Sequence, residues 1–160
     1  MSKSIIPEPP KMKSNMRYFH VAYNTIESSG LWSHGSIAFA NETMFNKGNL
    51  QAVIKEQYGL KSAVIVDWQE FKSAEDFDNF NSPEYAERLD RPVRWFSVRY
   101  NSLNENGDQG YGNSEVMAKG MFSQEWYCSS KEDQYGLSRV SITGWTEFDN
   151  ETDFNIFTGQ

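Results

Sequence analysis

The chain has a single cysteine, Cys128, among its 160 residues. No internal disulfide can form, so packing alone must hold the fold, and a reducing, cytoplasmic compartment is the expected setting. Histidines number only two, and no cysteine pair stands at metal-ligand spacing; neither a metal nor a cofactor is expected. No apolar run reaches the length of a signal-peptide core or a membrane span, so membrane association is not expected. A basic excess is also missing. The formal net charge is −7, which argues against a footprint for phosphate backbones and against direct nucleic-acid binding as the function. The glycines of "GDQGYG", from Gly107, precede no helix start and do not form a phosphate-cradling loop.

What the chain has is rings, 15% of its residues, and a repetition. The stretch "EQYGLKSAVIVDWQEF" from Glu56 returns as "DQYGLSRVSITGWTEF" from Asp133. Shifting the sequence by 77 aligns residues 16–80 with 93–157 without a gap, giving 20 identical pairs in 65. Chance would give roughly four, so the chain is a tandem duplication. Its organisation follows as an arm at 1–15, a first unit at 16–80, a linker at 81–92 and a second unit at 93–160.

Both copies give the same physical reading. Phe19, Val21 and Tyr23 alternate, as do Phe96, Val98 and Tyr100, which is the pattern of a strand with one buried face. Gly30 and Gly107 suit hairpin turns, and a second strand follows each. Asn46 and Ser123 are N-caps, with Phe45 and Phe122 placed to staple onto Leu50 and Tyr127. Gly59 and Gly136 end the helices thus begun, predicted near 46–58 and 123–135. In the third strand Ile65, Trp68 and Phe71 do not share one parity, which predicts a bulge near Asp67 and Gly144. Ser73 and Asn150 cap short closing helices, and "SPEYAERLDRP" reads as a linking helix from Ser82 to Pro92. Each unit is therefore ββαβ with a terminal turn. A core of about 65 residues is marginal alone, so the expected fold is α+β: two halves related by a pseudo-two-fold, antiparallel-rich sheets packed by helices.

The repeated polar residues Arg17/Arg94, Asn24/Asn101, Gln57/Gln134, Glu70/Glu147 and Asp76/Asp153 serve the repeated fold first: arginine on the first strand pairs with glutamate on the third, Asn24 ends a strand and Asp76 caps a turn. The repeated rings, Tyr58 among them, are core or half-core positions. His20 and His34 occur in one copy only, opposite Ser97 and Tyr111, and Cys128 has no identifiable base. Acids gather at matching places, giving Glu70, Glu75, Asp76 and Asp78 in one unit and Glu147, Asp149, Glu151 and Asp153 in the other. The second helix replaces Leu50, Val53 and Ile54 with Tyr127, Ser130 and Lys131, which points to a face released to a partner, with Trp126 and Tyr127 as anchors.

The pattern "MRYFHVAYN…GSIAFA…QYGL…VIVDWQEF" resembles small one-unit proteins of bacteriophages and gut bacterial mobile elements. The resemblance spans both units and transfers no catalytic residues. It implies a host-facing accessory protein, an antagonist of a defence system. Together these readings predict a non-enzymatic protein that binds, and inhibits, another protein with a basic surface through the acidic turns and Trp126/Tyr127. The competing expectation is a small-ligand or nucleotide binder, with Arg17, Arg94, Tyr23, Tyr100, Trp68 and Trp145 forming pockets at the seam between the units.

Overall fold

The computed structural model describes residues 15–82 and 90–159. Almost all of the expected arm, and the body of the expected linking helix, lie outside the described residues.

The first half runs β1 (Arg17–Glu27), β2 (Trp32–Asn41), α1 (Lys47–Gln57), β3 (Leu60–Glu70) and α2 (Ala74–Phe80). The second repeats it as β4 (Val93–Leu103), β5 (Gln109–Lys119), α3 (Gln124–Tyr135), β6 (Arg139–Phe148) and α4 (Glu151–Thr158). The two sheets, β2-β1-β3 and β5-β4-β6, are each fully antiparallel. Their registers coincide after the 77-residue shift. Phe19 stands opposite Phe39 and Glu70, and Phe96 opposite Val116 and Glu147. The architecture is the expected α+β duplication.

The bulge lies beside Asp67 and Gly144. Ala22 pairs with Asp67 but Tyr23 with Ile65, while Arg99 pairs with Gly144 but Tyr100 with Ile142. One residue is skipped in each strand, Val66 and Thr143. That skip puts Ile65 and Trp68 on the face of Tyr23 and Val21, which resolves their conflicting parity. Helix ends follow the predicted signals. Asn49 N–H donates to Asn46 and Trp126 N–H to Ser123, while Gly136 closes α3 in the left-handed conformation at φ 64°. Asn24, expected to end a strand, instead lies inside β1.

Two cores result, and they are unequal. The smaller gathers Tyr23, Ile54 and Ala63 under α1. The larger gathers Phe96, Val98, Val116, Phe122, Tyr127 and Ile142 under α3, and it also takes Phe71 and Phe80 from the first half. The second helix has lost aliphatic side chains, yet it packs deeply, because one tyrosine ring fills the space they vacate.

The seam between the halves explains the difference. His20, on the β1 face opposite Phe19 and Val21, stacks near Trp145, which shares its face with Val98. The back of the first sheet therefore meets strand β6 of the second, which presents Trp145 from its helix-bearing face and Ser141 and Gly144 from the other. Strand β6 touches β1, β2 and β3, while β3 makes no contact of that extent with β4 or β5. Contacts across the seam are thus not reciprocal, as a strict two-fold would make them. Gly144 permits this approach. A Cβ there would meet Arg99 Nη2 at 2.7 Å, Asp67 Oδ2 at 3.0 Å and Gln69 Oε1 at 3.1 Å. With the position bare, Trp145 N–H donates to Gln69 Oε1 at 2.9 Å.

Candidate functional site

Three features of the seam and its surroundings bear on function. The first is the joint made by the end of the first half. Ser73 caps α2 through Asp76 N–H at 3.1 Å, which points the Asp76 carboxylate away from the cap and across the seam. It receives both Nη atoms of Arg94, at 2.8 and 2.9 Å. Arg94 in turn donates Nε and Nη2 to Glu147, each at 2.8 Å, and Lys72 reaches Glu147 at 3.1 Å. Held between two carboxylates, the Arg94 guanidinium has its pKa raised, the hydrogen bonds to Glu147 contributing most. Burial alone pushes the Glu147 carboxyl up, but Arg94 and Lys72 outweigh it and bring the pKa below the ordinary value. Beside this latch Phe71 and Phe80 pack on Trp145, and Phe80 on Phe122. Ser123 Oγ donates to the Ser82 carbonyl at 2.9 Å, pinning the chain just after α2.

The second feature is a cleft of about 660 Å³ along the seam, lined by Tyr23, His34, Tyr58, Gln124, Cys128 and Arg139 among others. Its polar groups are arranged across the halves. His34 Nδ1 lies 2.9 Å from Ser141 Oγ, and Arg139 donates to Ser33 Oγ at 3.0 Å. The Cys128 thiol is pushed up to about 12 by burial and by Glu132, the reverse of what an activated nucleophile needs. Among the described residues no three His, Cys, Asp or Glu side chains are grouped to hold a metal ion, and no helix is long and apolar enough to cross a membrane.

The third feature is an inequality between matched residues. Trp145 and Met121 are 6% and 1% exposed, whereas their counterparts Trp68 and Met44 are 44% and 41% exposed. Phe80 is 0% exposed and its counterpart Phe157 is 57% exposed. What the joint covers in the second half is open in the first. What the first half inserts is left bare at the end of the second.

The structure sorts the expected site residues accordingly. Tyr127 is no partner anchor: it is buried, and its hydroxyl bonds Ser114 at 2.8 Å. Trp126 beside it is partly exposed. Asp76 is likewise unavailable, being buried against Arg94. Glu147 is covered by Arg94 and Lys72, Glu70 is held by Arg17 at 2.9 Å, and Glu75 pairs with Arg91 at 2.7 Å. Asp78, Asp149, Glu151 and Asp153 are exposed. The six ligand candidates do not meet in one pocket. Tyr23 lines the large cleft, Arg94 and Trp145 line a second of about 340 Å³, and Trp68 is open to solvent on the first half. Arg17 stays with Glu70, and Tyr100 packs against the larger core. Tyr58 and Tyr135, expected as core or half-core, are exposed. The residues missed were Phe80 and Phe157, whose identity across the repeat was visible but whose unequal burial depends on one unit having a neighbour.

No protein-family model matches the chain, and no curated protein is similar to it.

The buried histidines give the seam a pH dependence. Burial pushes His20 down to about 4, Gln124 offsetting part of the fall, and burial together with the Arg139 charge brings His34 to about 4. Both values lie below the ordinary 6.5, so on acidification the unfolded chain takes up protons first. Stability from this source is complete above the ordinary histidine value and is lost as pH falls toward the folded one. Urea unfolding at pH values between roughly 7 and 4.5 should show a loss on the order of 2 kcal/mol or more, reduced in His34→Gln. A wild-type stability flat across that interval contradicts the assignment.

Proposed function

We propose that this chain is a non-enzymatic interaction protein that binds, and by binding inhibits, another protein, and that α4 is its docking element. One observation carries the reading. The same element in the first half, α2, is a docking helix at work, its Phe80 and Asp76 seated in the body of the second half. Its copy α4 retains the cap, the phenylalanines and the aspartate, yet it presents Ile156 and Phe157 to solvent beside exposed Asp149, Glu151 and Asp153. An apolar tip rimmed by carboxylates suits a partner with a hydrophobic recess in a basic surface. The resemblance to phage and mobile-element proteins directs the reading to a host defence or nucleic-acid-binding protein as target. Trp126 on α3 is the secondary candidate contact.

Affinity capture from a bacterial host lysate tests this. Wild type should retain a basic protein that is released by raised salt and lost with the Ile156→Ser, Phe157→Ser variant, by about 30-fold or more. Recovery of no protein, or equal recovery by the variant, removes the reading.

A second reading rests on the seam cleft, whose volume falls in the range of small-molecule sites and whose cation, Arg139, faces tyrosines and serines. It makes the protein a small-ligand or nucleotide binder. A thermal-shift panel of nucleotides and anionic metabolites should then contain a stabiliser whose effect is lost in Arg139→Ala. A flat panel removes this reading.

A further inference from the structure

The joint inside the chain is built from two parts, and each part exists a second time without its mate among the described residues. We propose that copies of this protein join head to tail, with Phe148 and α4 of one copy seating on the first half of the next as Phe71 and α2 seat on the second half within one chain. This rests on reading α4 as a docking element, and it names one partner for that element.

The inserted part is preformed. Phe71 lies 5.5 Å from Phe77 and 5.1 Å from Phe80, ring centre to ring centre. The counterparts repeat this, Phe148 standing 5.6 Å from Phe154 and 5.0 Å from Phe157. The receiving part is preformed too. In the second half Phe96 and Phe122 are 5.0 Å apart and Phe122 and Trp145 5.7 Å, both edge-on. In the first half Phe19 and Phe45 are 5.2 Å apart and Phe45 and Trp68 5.7 Å, again edge-on. The ring pairs on both sides thus stand at matched spacings before association, although Phe39 takes the place of Val116 in the receiving part and packs on Phe19 and Phe45.

The charged latch is repeated as well. Arg94 lies over Phe96 at 5.3 Å and is held by Glu147 while it grips Asp76. Arg17 lies over Phe19 at 5.2 Å and is held by Glu70 through Nε and Nη2, both at 2.9 Å. The seat that Asp76 fills on Arg94 corresponds on Arg17 to Asp153 of the incoming copy, which is exposed. Two positions oppose the match: Asp67 stands in the receiving half where Gly144 lets the two halves of one chain approach, and residue 149 differs from residue 72. Lys72, which neutralises Glu147, is replaced by Asp149, and in the joint between copies that carboxylate faces Glu70. The intermolecular joint is therefore weaker than the internal one, and Asp149 is the place where a single change strengthens it.

The surfaces involved are different on the two copies, so the contact is heterologous and leaves a free end after every addition. Repetition then gives an open chain of copies and no fixed number. A foreign partner that takes α4 would cap that growth.

Sedimentation velocity of the full-length protein over a concentration series tests the proposal. Wild type should sediment faster as concentration rises, without a plateau at dimer, and Asp149→Lys should do so at lower concentration. Phe157→Asp breaks the inserted part and Met44→Asp the receiving part, and each alone should be monomeric. Mixed, the two should form a one-to-one complex that grows no further, because each retains the part the other lacks. This complementation also shows that both variants are folded. Wild type and Asp149→Lys remaining monomeric throughout, or assembly surviving Phe157→Asp, overturns the proposal. If assembly fails while capture of a foreign protein still depends on Phe157, only self-association is wrong. If both fail, the docking role of α4 fails with it.

Discussion

The fold depends on one insertion: Phe80 and Phe71 of the first half packed against Trp145 and Phe122 of the second, with Asp76 fixed on Arg94 alongside. Each half alone is a three-stranded sheet under one helix, too small to bury both faces. The insertion supplies the second half with rings that its own helix does not provide. It also gives the back of the first sheet a surface to lie on, through His20 and Trp145. Ion pairing at the latch orients more than it stabilises. Removing Arg94 would leave two carboxylates facing each other in a half-buried cleft, which is the costly way to break such a site.

A duplicated unit with a docking terminus creates an inequality that cannot be avoided. The first copy uses its closing helix against the second half; among the described residues the closing helix of the second copy leaves Phe157 in solvent. Likewise the second copy's socket is filled, and the first copy's socket is open at Trp68 and Met44. Divergence has acted on these ends only in part. Lys72 became Asp149, which disfavours indiscriminate stacking, yet Phe148, Asp153, Phe154 and Phe157 retain their repeat identities. Side chains kept identical but buried unequally are the ones whose role changes with context.

Much of this was legible in the residues. Strand alternation, caps at Asn46, Ser123, Ser73 and Asn150, the left-handed glycines and the bulge are local signals, and each is decided within a few residues of chain. Arg17–Glu70 and Arg94–Glu147 followed from equal spacing in the two copies. What was not legible is what the halves do to one another. Asp76 reads as a cap residue, and only the seam shows it turned onto Arg94. Tyr127 reads as an exposed anchor because its helix lost aliphatic residues, but a ring can fill a core as well as decorate a surface. The histidines of one copy read as incidental and lie buried at the seam, where β6 lies against the back of the first sheet. Local signals are set by neighbours in sequence; these were set by neighbours in space.

The central claim is that the joint at Phe80 holds the two halves as one body, while the equivalent ring at Phe157 packs on Phe148 of its own half and is largely in solvent. Equilibrium urea unfolding of Phe80→Ala and Phe157→Ala, at a protein concentration low enough to keep the chain monomeric, tests it most directly. The account predicts a loss of about 3–5 kcal/mol for Phe80→Ala, with early melting of one half, and less than about 1 kcal/mol for Phe157→Ala. Equal losses at the two positions, or a Phe80→Ala chain as stable as wild type, would contradict it.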